Sequence, residues 1–111
     1  MNLNELGRMA WETADHAGWH RKPTTTVERL CLIHSEVSEA LETFRHDGTD
    51  ASYVEVDGKP QGFGSELADV IIRTVELAHI HGVDLDSQVA VKNAYNGRRR
   101  DVPALDNSKA I

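Results

Sequence analysis

The sequence predicts an all-α protein, a four- to five-helix bundle with a long loop, holding at most a short hairpin, between helices 2 and 3. Three observations lead there. Apolar residues recur three and four apart in four separate segments, those segments begin and end on capping residues, and strands do not alternate with helices. With 111 residues and no break in composition, the chain reads as a single domain, with its core at about 3–99 and a tail at 100–111.

Leu3, Leu6, Ala10, Ala14 and Ala17 share one helical side, and Gly18 supplies a stop, so a first helix is expected from Leu3 to about Ala17. Pro23 keeps the next helix from starting earlier. Thr25 followed by Glu28 fits a capping box, in which the threonine oxygen accepts from the third backbone N–H and the glutamate reaches back. The second helix then runs to about Arg45. Residues 46–63 hold three glycines and a proline, with a Tyr53-Val54-Glu55-Val56 alternation before Asp57-Gly58 that reads as a short strand entering a turn. Eighteen residues is long for a connection in a compact domain, and such loops are commonly functional or mobile. A third helix is expected from about Ser65 to Ile80, stopped by Gly82, and a fourth from the N-cap Asp84 to about Asn96-Gly97.

The formal charge is -6, from 18 acidic and 12 basic residues, which argues against a general nucleic-acid surface held by phosphate contacts. Cys31, the single cysteine, sits among Leu30, Leu32 and Ile33 and is expected to be a buried thiol in a reducing compartment. The first fifteen residues are too polar for a signal peptide and no apolar run could span a bilayer, so a cytoplasmic protein without a membrane partner is expected.

The chemistry concentrates in the second and third helices. Glu36 and Glu39 stand three residues apart, and Glu66 and Asp69 repeat that spacing. Members of each pair lie about 60° apart around their helix, close enough to reach one ion. On the second helix the main apolar stripe reads Leu30, Ile33, Val37, Leu41 and Phe44, with the glutamates on another strip. The third helix is apolar on nearly all sides except a narrow strip of Glu66, Asp69, Arg73 and Glu76. A helix of that kind is usually buried, and its charged strip must then face a partner, a metal or a wet cavity. Four convergent carboxylates repel one another unless divalent cations lie between them, and hard oxygen ligands favour Mg²⁺, with Mn²⁺ as an alternative, over zinc. Either pair alone also fits an ordinary solvated helix face.

Near the end of the fourth helix Lys92, Arg98, Arg99 and Arg100 fall in nine residues without an acid; Lys92, Asn96 and Arg99 share a helical side, with Tyr95 adjacent. Cations at a helix C-terminus also complement its dipole, the expected role of Arg100. His34 is expected to be a hydrogen-bonded core histidine, Arg73 to pair with Asp69 one turn away, and His79 and His81 to favour the end of their helix.

The order Glu-x-x-Glu, 26 residues, Glu-x-x-Asp, together with "GWHRKP", "LIHSEVSEALE", "KPQGFGSELADVIIRTVELA" and "KNAYNGRR", resembles the MazG-like all-α nucleoside triphosphate pyrophosphohydrolases over about residues 18–99. The resemblance implies a bundle of the all-α NTP pyrophosphatase type that cleaves (d)NTPs to the monophosphate and pyrophosphate with Mg²⁺, in nucleotide-pool house-cleaning. Glu36, Glu39, Glu66 and Asp69 would be the metal ligands, and Glu39, with Glu36, the catalytic group that orients or deprotonates the attacking water. Lys92, Asn96 and Arg99 would contact the triphosphate, with Tyr95 lining the same pocket. Trp19 and His20 fall where relatives place nucleobase-pocket residues, although some relatives separate the aromatic residue from the histidine.

Two alternatives stay open. Glu76-x-x-His79 is one half of the motif pair that a di-iron or di-manganese carboxylate bundle needs. A non-catalytic helical interaction module would explain the fold but not the paired carboxylates. Short helices with apolar residues on both sides predict a homodimer or homotetramer.

Overall fold

The computed structural model describes residues 1–49, 52–55 and 57–99. Val56 of the expected strand, Arg100 and the expected tail lie outside the described residues. The described chain forms α1 (Leu3–His16), α2 (Thr26–Asp47), β1 (Ser52–Val54), β2 (Pro60–Gly62), α3 (Phe63–Ile80) and α4 (Leu85–Arg98). It is an all-α bundle with one hairpin, in which β1 and β2 pair antiparallel and Tyr53 stands opposite Gln61. No helix is long and apolar enough to cross a membrane, among the described residues.

The helix ends follow local chemistry. Asn2 caps α1 by accepting from the Glu5 N–H, and Thr25 caps α2 by accepting from the Glu28 N–H at 3.1 Å. Gly18, at φ 83°, closes α1: the Trp19 N–H returns to the Ala14 carbonyl, a bond that needs the left-handed backbone at the glycine. Asp84 caps α4, and α1 and α4 cap each other: Asp86 accepts from the N–H groups of Leu3 and Asn4, while Asn4 Oδ1 accepts from the Leu85 N–H. The sequence places the start of α3 at Ser65, two residues late; the chain passes from β2 straight into the helix through Gly62.

Helix α3 is the centre of the bundle, with α1 and α2 packed on it and α4 resting chiefly on α1. The α1–α3 crossing is close because Gly7 has no side chain: a Cβ there would lie 2.4 Å from the Val75 carbonyl oxygen. Among the described residues, the buried apolar side chains are Ala14, Ala40 and Val75, a small core, and the buried charged ones are Glu36 and Glu76.

Three expectations are overturned. On α2 the expected apolar stripe is split: Leu30, Val37 and Leu41 face outward and are exposed, while Ile33 and Phe44 turn in together with Glu36 and Ala40. The inward stripe is Arg29, Ile33, Glu36, Ala40 and Phe44, a helical spacing as regular as the apolar one. Because Cys31 and His34 lie off that stripe, both are exposed; the thiol is not buried and the histidine is not in the core. Likewise α3 leaves Leu67, Ile71 and Ile72 uncovered within a single chain.

Candidate functional site

The inward turn of α2 carries its acidic strip onto that of α3. Glu36, Glu39 and Glu66 each offer a carboxylate oxygen, and those oxygens all lie within 4.8 Å of one another. Glu36 is buried, Glu66 half-buried and Glu39 exposed, so the group opens outward from a closed floor. Asp69 stands apart from this trio but is near enough for the Glu36 charge to act on it.

The crowding has electrostatic consequences. Glu39 is held above the usual carboxylate range, first by the close Glu36 carboxylate, to which it could give a hydrogen only when protonated, and then by repulsion from Glu36, burial and Glu66. Asp69 is raised by desolvation and by the Glu36 charge, with Arg73 pulling the other way.

Arg73 does not make the expected bridge with Asp69. Its Nε–H reaches across to α2 and donates to Glu36 Oε1 at 2.7 Å. The inward position of Glu36 puts a buried carboxylate, the stronger partner, within reach. The other oxygen, Oε2 of Glu36, is buried with no hydrogen-bond partner. A buried acceptor left unmade is costly, and a cation shared with Glu39 and Glu66 would satisfy it. All three groups present hard oxygen donors, which fit Mg²⁺ or Mn²⁺.

Beside the trio lies a cleft of about 740 Å³, lined by Glu36, Asp69, Arg73 and Glu76 on one side and by apolar residues of α1 on the other. Trp19 lines it too and is 68 % exposed, leaving a ring face available. His20 is half-buried: its ring stacks on Trp11 with centroids 5.0 Å apart, Nδ1 lies 3.2 Å from Asp15 Oδ1, and Nε2 lies 3.3 Å from Glu76 Oε1. Arg29 Nη1 donates to the same Glu76 oxygen at 3.1 Å. Glu76 therefore belongs to this set and not to the cation-holding trio, and His79, exposed and tilted against Trp11 at 6.0 Å, does not join it at a metal.

The basic end of the chain is not brought to the carboxylates within one chain. Lys92, Tyr95, Asn96 and Arg99 are all exposed on or just beyond α4, which buries nothing and contributes nothing to the cleft lining. The Arg99 guanidinium lies 5.9 Å from the Tyr95 ring centroid.

Sequence reasoning missed Arg29, Trp11, Asp15 and Lys59. A signal existed for Arg29, which is seven residues before Glu36 and so on its inward stripe; Lys59, which lines the cleft, comes from the hairpin connection and left no periodic trace. No family model, curated protein or solved structure matches the chain.

Proposed function

We propose that this protein hydrolyses nucleoside triphosphates to the monophosphate and pyrophosphate, with Mg²⁺ held by Glu36, Glu39 and Glu66 and joined by Asp69. The observation that carries the reading is the convergence of three carboxylates from α2 and α3 within 4.8 Å, over a buried Glu36 oxygen that lacks a partner. A divalent cation there would offset the phosphate charge and make water easier to deprotonate.

The chain's own groups divide the remaining work. Glu39 is the most open of the trio, which suits it to take a proton from the attacking water. Arg73 fixes Glu36 in place from the other side. The cleft beside the trio would receive the nucleoside, with Trp19 as one wall.

Lys92, Asn96 and Arg99 could meet the triphosphate if a second copy of the chain presents its α4, and Tyr95 would come with them. Self-association is supported by the exposed apolar stripe Val27, Leu30, Val37 and Leu41 on α2, with Leu67 and Ile71 on α3. A homodimer or homotetramer is the proposed form. We place its role in clearing unwanted nucleotides in the cytoplasm.

The test is a panel of (d)NTPs with Mg²⁺, with products identified as monophosphate plus pyrophosphate or monophosphate plus two orthophosphates. Pyrophosphate release supports the reading; inertness towards every nucleotide overturns it.

A further inference from the structure

Glu76 is 8 % exposed and lines the cleft, yet it takes no part in the carboxylate trio. Its Oε1 is occupied, with Arg29 Nη1 donating at 3.1 Å and His20 Nε2 lying 3.3 Å away. Its Oε2 makes no hydrogen bond among the described residues and is not sealed from solvent, since Glu36 Oε2 is the one buried side-chain atom there without a partner. One lobe of this carboxylate is thus fixed, and the other is left unpaired on a residue that lines the cavity.

That arrangement is costly to build unless it is used. An apolar side chain would have closed the wall, whereas a nearly buried carboxylate needs the guanidinium and the imidazole to hold it. Those supports are anchored in turn, because the His20 ring is stacked on Trp11 and its Nδ1 faces Asp15. The open oxygen can only accept, so the ligand must donate to it. It also repels phosphate, so it must meet the end of the ligand that carries none.

The spacing identifies that end. Asp69, Arg73 and Glu76 line the cleft from one side of α3, and Asp69 and Glu76 are seven residues apart, about 10 Å along the axis. The phosphate-facing acids and Glu76 are therefore separated by a span comparable to that between the phosphates and the base edge of a nucleotide.

We propose that Glu76 reads the base in this cleft and selects nucleobases that carry an exocyclic amino group; this rests on the cleft receiving a nucleotide. An amino group projects from the ring and can give a hydrogen to a single oxygen. A carbonyl at the same place sets acceptor against acceptor and leaves both unpaired. Cytosine and uracil form the sharpest comparison: at C4 an amino group stands against a carbonyl, and at the neighbouring N3 a bare acceptor stands against an N–H, so the test reads whether the open oxygen meets the C4 substituent.

The experiment titrates dCMP and dUMP into the wild-type protein and Glu76→Gln by calorimetry in Mg²⁺, with kcat/KM for dCTP and dUTP measured in parallel. Wild type should bind dCMP about 10- to 100-fold more tightly than dUMP, the difference expected for one hydrogen bond to a charged group. Arg29 can only donate and so holds the amide oxygen of the variant in the place of Oε1, which turns the NH2 to the ligand; Glu76→Gln should therefore abolish the preference for dCMP and tilt it towards dUMP.

Equal binding of the two monophosphates by wild type, or binding of neither, overturns the proposal, as does an unchanged ratio in a folded Glu76→Gln. Turnover of dCTP and dUTP without discrimination removes base reading but leaves the hydrolase. Preferential dCMP binding without any turnover removes the hydrolase but keeps base reading. If Glu76→Gln lacks the helical circular dichroism of wild type, the wild-type ratio alone decides.

Discussion

Arg73 on α3 donates its Nε–H to Glu36 Oε1 on α2 at 2.7 Å and leaves the second oxygen of that carboxylate buried and unpartnered. The bond ties two helices together and supplies the one positive group hydrogen-bonded to Glu36 among the described residues. Arg73→Ala should lower stability by about 1–3 kcal/mol, because a buried carboxylate then loses its compensating partner while the guanidinium gives up only a partly solvated position. Mg²⁺ should recover part of the loss. Thermal unfolding with and without the cation checks this, and an unchanged midpoint in its absence would show that the pair contributes nothing.

The raised carboxylates give the cation-free protein a definite pH dependence. Glu39 and Asp69 both bind protons more readily folded than unfolded. Between their ordinary values, 4.5 and 3.8, and the raised folded values, the native state holds more protons, so these two groups make stability fall as pH rises through that window and add no further change above it. Asp84 works oppositely: lowered by the Asn4 side chain and the Ser87 N–H, it contributes stability above 3.8 that is lost as pH falls. Replacing Glu39 by Gln should flatten the first effect and stabilise the cation-free protein at neutral pH by less than about 1 kcal/mol, since Glu39 is exposed and screened. The same variant should lose pyrophosphate release while keeping its helical circular dichroism. Unfolding midpoints across pH, with a chelator present, provide the check; an unaltered pH slope in Glu39→Gln would count against the crowding.

Gly7→Ala tests the α1–α3 crossing. In an isolated helix alanine would be favoured, but here its methyl would meet the Val75 carbonyl oxygen at 2.4 Å. Moving the helices apart should cost about 1–3 kcal/mol despite the better helix propensity. A midpoint at or above that of wild type would mean the helices are not so closely apposed.

The exposed stripe on α2 should be covered in solution. Light scattering is expected to give a mass of two or four chains, and Val37→Asp combined with Leu41→Asp should reduce it to one chain without loss of helicity. A monomeric wild type would leave α4 unable to reach a second copy's cleft.

The helices were legible because each has its own local signals: Thr25 and Asp84 cap as their residue types predict, and Gly18 and Gly82 stop helices in the left-handed backbone that glycine favours. The carboxylate spacing on α2 and α3 was equally readable, and three of the four acids do converge. What a single helix cannot reveal is which of two regular stripes faces the neighbour. On α2 the more apolar stripe is outside in the single chain and the stripe with Arg29 and Glu36 is inside, so the burial of Cys31 and His34 came out inverted and the partner of Arg73 was misplaced. The set around Glu76 was hidden for another reason. Its members, Trp11, Asp15, His20 and Arg29, are drawn from three separate segments, and only the packing of α1 and α2 on α3 brings them together.

The most direct test of the shared-cation site is Mn²⁺ binding followed by electron paramagnetic resonance in wild type, Glu36→Gln and Glu66→Gln. Acids from both helices holding one ion site predict saturable binding by wild type that weakens sharply in each variant, although each removes a ligand from only one helix. Binding unaffected by Glu66→Gln, or no binding to wild type at all, would mean that α2 and α3 do not form a common cation site.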